Sequence, residues 1–221
     1  MQYNPDMIAD IVSRVMAEQG IRRPGSSSDN LVPVGVSNRH IHLTQADVET
    51  LFGKGYQLTP MKDLSQPGQY ACKEVLTIIG PSMRAIEKVR VLGPVRKATQ
   101  VEISRTDAFV LKVKPPVRES GDIAGSAGLT IIGPKGLVTI KEGCIIANRH
   151  IHMSLDEAAA FGVKDGDYGD VEVIEGAERA TTFHGVQIRA HKDFRLEMHI
   201  DTDDANAAGI GNGAKVKLIK K

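Results

Sequence analysis

Tryptophan is absent from this 221-residue chain, and aromatic residues make up only 4% of it. Proteins that hold single-stranded nucleic acid usually stack its bases on aromatic side chains. The formal net charge is only +1, so charge gives no reason to expect a polyanion as a partner. We therefore expect no nucleic-acid partner.

Cysteine is also scarce, because the chain contains only Cys72 and Cys144. Two cysteines far apart and outside a CxxC arrangement do not form a disulfide framework, so we expect a reducing, cytosolic setting and two small core residues. No run approaches the ~20 apolar residues that a membrane span needs. The N-terminus also lacks the pattern of a secretory signal, so we expect no membrane association.

Residues 5–18 carry apolar side chains at helical spacing, which predicts a short amphipathic helix within residues 1–20. Residues 21–30 are rich in Pro, Gly and Ser and predict a linker. The helix could dock on its own domain or on a partner protein, and it could drive self-association into a homo-oligomer.

From residue 31 onward, short β runs alternate with turn residues and no long helical window occurs. About a dozen strands of this kind predict a mainly β protein built from small barrels or sandwiches. An internal repeat supports two related halves, because Asn38–Thr44 matches Asn148–Ser154 and each copy is followed by a helix-capping pattern. Leu76–Pro81 also recurs, as Leu129–Pro134. We predict β-barrel halves at 31–118 and 119–221, with exchange of strands between them left open.

Both copies of the repeat contain the pentapeptide Asn-Arg-His-Ile-His, at 38–42 and 148–152. Residues i and i+2 of a strand point to the same face, so each copy presents two imidazoles together and sends its isoleucine to the other face. Paired imidazoles on one rigid element suit a divalent metal. The repeat therefore predicts a metal site.

Each histidine pair needs a third ligand. Strand alternation allows Glu102 and His199, one in each half, while Glu197 and Asp201 compete for the same role. Two His plus a carboxylate, or three His, with an open position is the pattern of a catalytic zinc site, although cobalt, iron or manganese would also fit it.

Arg96 lies in a turn six residues before Glu102. A guanidinium there could bind phosphate or carboxylate oxygens, or it could be an ordinary surface charge. His184 and His191 are expected at the surface or behind the ligands.

At this point the chain resembles the PduL-type phosphotransacylases (phosphate propanoyltransferases) of bacterial microcompartments. The resemblance spans residues ~31–219 and rests on five segments: Val36–His42, Val89–Arg96, Thr99–Asp107, Asn148–His152 and Met198–Asp203. It implies two β-barrel domains, a dinuclear zinc site between them, and reversible transfer of an acyl group between coenzyme A and inorganic phosphate.

The resemblance also implies roles for individual residues. One zinc ion would be held by His40, His42 and Glu102, with a position for the coenzyme A sulfur. The second would be held by His150, His152 and His199, with water. Arg96 matches the phosphate-binding arginine of the family, and the implied coenzyme A contacts are Val36, Ser37, Asn38, Arg90 and Asn206.

This chain departs from the family at one turn. The family has Gly-Pro-Lys-Gly there, with a lysine that contacts coenzyme A, whereas this chain reads Gly80-Pro81-Ser82-Met83-Arg84-Ala85. Arg84 is the substitute cation by our alignment. Residues 5–18 also resemble the peptides that direct cargo to microcompartments, which implies shell or cargo proteins as partners and a lumenal location.

Two other functions fit the same residues. A zinc hydrolase would activate water instead of a thiol, and a non-enzymatic scaffold would only bind metal and dock through residues 5–18. The amidohydrolase barrel needs more helices than this chain has, and a cupin needs a Glu soon after His-x-His, where this chain offers only Asp47.

Overall fold

The computed structural model describes residues 30–174 and 179–219, which form a mainly β structure with short helices. The predicted amphipathic helix at 5–18 and most of the linker lie outside the described residues. The strands are β1 (Leu31–Ser37), β2 (His40–His42), β3 (Pro60–Asp63), β4 (Tyr70–Ile79), β5 (Ala85–Gly93), β6 (Gln100–Glu102), β7 (Val117–Arg118), β8 (Ala127–Ile132), β9 (Leu137–Ala147), β10 (His150–Met153), β11 (Tyr168–Val173), β12 (Thr182–Ala190), β13 (Glu197–Asp201) and β14 (Lys215–Ile219). The helices are α1 (Gln45–Phe52), α2 (Arg105–Leu111), α3 (Leu155–Phe161) and α4 (Thr202–Ala208).

Strand pairing closes two barrels. Barrel I runs β4-β5-β2-β6-β9-β8 and back to β4, with β3 added beside β4 and β7 beside β9. Barrel II runs β1-β13-β10-β12-β11-β14 and back to β1. Closure leaves no free edge within either ring. The predicted fold class, two related small β-barrels with short helices, is confirmed for the described residues.

The two barrels repeat the same pairing pattern. Each histidine strand has one parallel neighbour, β5 for β2 and β12 for β10, and one antiparallel neighbour, β6 for β2 and β13 for β10. Each antiparallel neighbour has a parallel partner of its own, which is β9 for β6 in barrel I and β1 for β13 in barrel II. The register also agrees, because His40 lies opposite Glu102 and His150 lies opposite His199.

The strand that precedes each pentapeptide belongs to the other barrel. β1 runs into the first pentapeptide but pairs with β13 and β14, and β9 runs into the second but pairs with β6 and β8. Strand pairing therefore crosses the predicted boundary at residue 118 in both directions. Barrel I is completed by β8 and β9 from the second half of the chain, and barrel II by β1 from the first half.

The repeat of Leu76–Pro81 as Leu129–Pro134 has a different structural reason from the one that we expected. Its two segments end the neighbouring strands β4 and β8 of barrel I, where Thr77 pairs with Ile132, so the expectation that they mark the two halves is wrong. A Cβ added at Gly80 would lie 1.9 Å from the carbonyl oxygen of Leu111, and one at Gly133 would lie 2.6 Å from that of Leu51. Glycine is repeated because each strand end approaches the end of a helix too closely for a side chain.

Separate apolar cores fill the barrels. Ile41 and Cys72 are buried in the core of barrel I with Cys144, while Ile151 and Met198 are buried in barrel II. Strand alternation therefore places both isoleucines of the pentapeptides inside, as predicted, and turns the histidines away from the apolar core. No helix in the described part of the chain is long and apolar enough to cross a membrane.

Candidate metal centre and active site

Two clusters of possible metal ligands form where the histidine strands meet their antiparallel neighbours. One consists of His40, His42 and Glu102, and the other of His150, His152 and His199. Within each cluster, one ligand atom from every residue lies within 4.8 Å of the others. Directly opposed residues of antiparallel strands have Cβ atoms only ~5 Å apart, which is why Glu102 and His199 reach the histidine pairs.

The backbone of each pentapeptide fixes the first histidine. His40 Nδ1 lies 2.8 Å from the carbonyl oxygen of Asn38, and His150 Nδ1 lies 2.7 Å from that of Asn148. A carbonyl oxygen can only accept, so Nδ1 carries the proton and Nε2 keeps its lone pair. This second hydrogen bond commonly orients a metal-binding histidine.

The other histidines have buried nitrogens without a hydrogen bond. His42 Nδ1, His152 Nδ1 and His199 Nε2 are buried and make no hydrogen bond within the described residues, although Glu197 Oε2 lies 3.2 Å from His199 Nε2. Leaving a buried polar atom unsatisfied costs about 1–3 kcal/mol. A metal ion that accepts these lone pairs removes the cost, so the donor set fits zinc or a similar divalent ion.

Burial keeps most of these imidazoles neutral. It is the largest cause that lowers the pKa of His42 to about 3, of His150 to about 4, of His152 to about 2 and of His199 to about 4. Neighbouring histidines and the charges of Arg96 or Arg189 add to the effect. A neutral imidazole is the form that binds metal, so these four side chains can bind a metal ion at neutral pH without first losing a proton.

The first cluster differs because it contains a carboxylate. Burial disfavours both charges, but the mutual attraction of His40 and Glu102 raises the pKa of His40 and holds the pKa of Glu102 well below its usual range. Glu102 Oε1 accepts hydrogen bonds from Gln100 Nε2 at 2.6 Å and from Ser120 Oγ at 2.8 Å. Its Oε2 lies 3.4 Å from His40 Nε2 and remains available to a metal.

Both clusters open into one cavity of about 750 Å³. All six predicted ligands line it, as do five other predicted site residues: Val36, Ser37, Asn38, Arg90 and Arg96. Arg96 is half-buried and donates from NH1 to Ser120 Oγ at 3.1 Å. Arg84 and Asn206 are exposed and do not line this cavity.

The structure also gives the positions of the other two histidines and of the two competing carboxylates. His184 and His191 lie at the surface, as expected. Glu197 lines the cavity, and its Oε2 lies 3.2 Å from His199 Nε2 while it accepts a hydrogen bond from Ser65. Asp201 instead caps helix α4 through the backbone N–H of Asp204.

Sequence reasoning missed several residues that shape this site. Ser120 reaches Glu102 from a loop, Arg189 lies opposite His152 on β12, and Phe194 packs its ring 4.2 Å from that of His152. Alternation within β12 places Arg189 on the same face as Gln187, which pairs with His150, and this was the available signal. No sequence pattern ties Ser120 or Phe194 to the clusters.

Comparison with known proteins agrees with this geometry. The family model described as phosphate propanoyltransferase matches residues 33–211. A phosphate propanoyltransferase of Lachnoclostridium phytofermentans is 56% identical over 214 residues, which is 97% of each chain. One of Thermotoga maritima is 58% identical over 187 residues, which is 85% of this chain and 88% of the relative. The chain therefore belongs to the phosphate propanoyltransferase family, whose members are transferases of the phosphotransacylase type.

Proposed function

We propose that the protein converts acyl-CoA and inorganic phosphate reversibly into acyl phosphate and coenzyme A at two zinc ions. One ion would be held by His40, His42 and Glu102, and the other by His150, His152 and His199. Propanoyl-CoA is the expected substrate. The observation that carries the proposal is a single cavity that contains both ligand clusters and Arg96.

Zinc in these positions would favour the thiolate of coenzyme A and polarise an acyl or phosphoryl oxygen. The residues of the chain hold the reactants. Arg96 can bind phosphate oxygens with its planar fork, and Arg90 and the segment 36–38 are proposed to contact coenzyme A. Arg84 and Asn206 stay predicted contacts outside the cavity.

The reaction is proposed to proceed by direct transfer. A phosphate oxygen attacks the thioester carbonyl, the carbon–oxygen bond forms, and the carbon–sulfur bond breaks with its electron pair on sulfur, which later takes the proton that phosphate loses. Burial raises the pKa of Cys72 to about 11 and of Cys144 to about 12, and neither lines the cavity. Neither cysteine is thus suited to carry the acyl group.

The test is release of free thiol from propanoyl-CoA with and without phosphate. We expect release only with phosphate, together with sequential kinetics. Release without phosphate would favour a zinc hydrolase, which the paired metal clusters would also suit. No release by metal-loaded protein would favour a scaffold, and ping-pong kinetics with a trapped acyl-enzyme would contradict direct transfer.

The metal assignment is tested by Glu102→Gln. Removing this carboxylate should lower metal content by the ion of the first cluster and leave the second, because the two ligand sets share no residue. Activity should fall by about 100-fold or more. The matched control is Glu172→Gln on an exposed position of β11. Elemental analysis that finds unchanged metal content would refute the assignment.

We propose that the protein lies in the lumen of a bacterial microcompartment. Residues 5–18 would form the helix that docks on shell or cargo proteins. The support for this proposal is the apolar stripe in the sequence and the linker that follows. Removing residues 1–20 should leave activity intact and abolish co-purification with shells. Unchanged co-purification would contradict this proposal.

A further inference from the structure

Arg189 lies beside the second histidine cluster. It pairs with His152 across β10 and β12, and it lines the cavity. Its guanidinium carbon lies 5.9 Å from the ring centroid of Phe194, whose ring packs against His152. The half-buried side chain is therefore held close to the place where reacting groups would bind.

The guanidinium of Arg189 has no ion pair and no hydrogen bond to any residue that the structure describes. The arginines of the two pentapeptides differ in this respect, since Arg39 contacts Asp107 at 2.8 Å and Arg149 contacts Asp204 at 2.8 Å. Withdrawing a cation from water without a partner is unfavourable. An anionic ligand would supply the partner that the protein leaves out.

Arg96, in the turn between β5 and β6 of barrel I, also has few partners for its charge. Apart from Ser120, its side chain has no hydrogen-bond partner among residues 30–174 and 179–219, and no carboxylate lies within ion-pair distance. Burial is the main cause that lowers the pKa of Arg96; the charge of Glu102 opposes it, and the charge of Arg189 adds to it. The carboxylates nearest the clusters are already engaged: Glu102 contacts His40, and Glu197 contacts His199 and accepts a hydrogen bond from Ser65. Two positive charges thus face one space.

We propose that Arg189 is a second anion-binding residue of the active site, which together with Arg96 holds the phosphoryl group of acyl phosphate or inorganic phosphate. This inference rests on the proposed function. A phosphate presents several charged oxygens, so the guanidinium groups of Arg96 and Arg189, one from each barrel, can bind it at once and fix its orientation. Coenzyme A also carries phosphates, but the pantetheine arm separates them from the thiol that reacts beside the clusters.

The position of barrel I that is equivalent to Arg189 supports this role. His40 pairs with Arg90 and His150 pairs with Gln187, so two residues further along lie Leu92 and Arg189. Both line the cavity. At this pair of equivalent positions, barrel II therefore offers the cavity a guanidinium where barrel I offers an apolar side chain, which suits a substrate with a charged end and an apolar acyl chain.

The test compares Arg189→Gln and Arg189→Lys with Arg118→Gln, which removes the same charge from an exposed pair with Asp122. In the metal-loaded protein, Arg189→Gln should raise KM for phosphate and for acyl phosphate about tenfold or more. KM for propanoyl-CoA and coenzyme A should stay within about twofold. Arg189→Lys keeps the charge without the fork and should fall between.

A measurement that does not depend on turnover completes the test. Calorimetric titration of inorganic phosphate into metal-loaded protein should show weaker binding for Arg189→Gln and unchanged binding for Arg118→Gln, with equal metal content throughout. Unchanged phosphate affinity, or a rise confined to KM for coenzyme A, would overturn the proposal. Wild-type protein that needs no phosphate for thiol release would instead overturn the proposed function itself.

Discussion

Every position of the pentapeptide Asn-Arg-His-Ile-His has its own task. The asparagine carbonyl orients the first histidine, and the arginine pairs with an aspartate, Asp107 or Asp204. The isoleucine fills a barrel core, and the second histidine leaves Nδ1 free for a ligand. Because each task depends on a different chemical group, two copies could keep the same five residues while the residue opposite the first histidine differs, Glu102 in one barrel and His199 in the other.

The depressed pKa values of four histidines predict how the metal-free protein responds to acid. An unfolded histidine titrates near pH 6.5, whereas His42, His150, His152 and His199 remain neutral to about pH 4 or below in the folded state. Between these limits the unfolded chain binds more protons, so stability must fall as pH falls. His40, with its raised pKa, opposes this trend only in part.

The expected result is a drop in the Tm of metal-free protein on the order of 10 °C between pH 6.5 and 5. Metal-loaded protein should change less over the same range, because metal and protons compete for the same nitrogens. Calorimetry of both forms gives the comparison. A Tm of the metal-free form that does not change with pH would argue against four neutral buried imidazoles.

Helices α2 and α4 follow the strands of Glu102 and His199, and an aspartate in the first turn of each helix contacts the arginine of a pentapeptide. Asp107 completes a capping box with Ser104 and also accepts a bidentate contact from Arg39. Asp204 is the equivalent residue of α4, but its side chain is 19% exposed, compared with 3% for Asp107. The more buried pair should contribute more, because solvent screens it less.

Asp107→Asn should therefore lower the free energy of unfolding by about 2 kcal/mol, since the half-buried guanidinium of Arg39 loses its charged partner and the helix cap loses a buried carboxylate. Asp204→Asn should cost about 1 kcal/mol or less, which makes it the matched control. Urea denaturation of both variants measures the difference. Equal losses would mean that burial of the pair does not matter.

The exchange of β1 and β9 makes the two barrels interdependent. Residues 119–221 lack β1, which closes barrel II, and residues 31–118 lack β8 and β9, which close barrel I. An open barrel exposes core side chains and unpaired strand edges. Neither part should then fold alone, and the whole chain should unfold in one transition.

Separate expression of residues 31–118 and 119–221 tests this expectation. Each fragment should lack a cooperative thermal transition by circular dichroism, and a mixture of the two should regain one. The full chain is the control. A fragment that unfolds cooperatively by itself would show that its barrel does not need the exchanged strand.

Local patterns in the sequence were sufficient for the β class, the capped helices after each pentapeptide and the inward isoleucines, because alternation and capping depend on residues close together in the chain. They also pointed to His40, His42, His150 and His152, whose spacing alone gives a shared face. The resemblance, rather than spacing, favoured Glu102 and His199 over Glu197 and Asp201.

Features that depend on distant segments emerged only with the folded chain. Strand exchange, the reason for the repeated Gly80 and Gly133, and the presence of Arg96 and Arg189 in one cavity all depend on segments far apart in sequence. The duplicated pentapeptide by itself thus indicated four of the six candidate ligands. The tertiary structure decided that both copies face one cavity, because β1 of barrel II continues into the first pentapeptide of barrel I and β9 of barrel I continues into the second pentapeptide of barrel II.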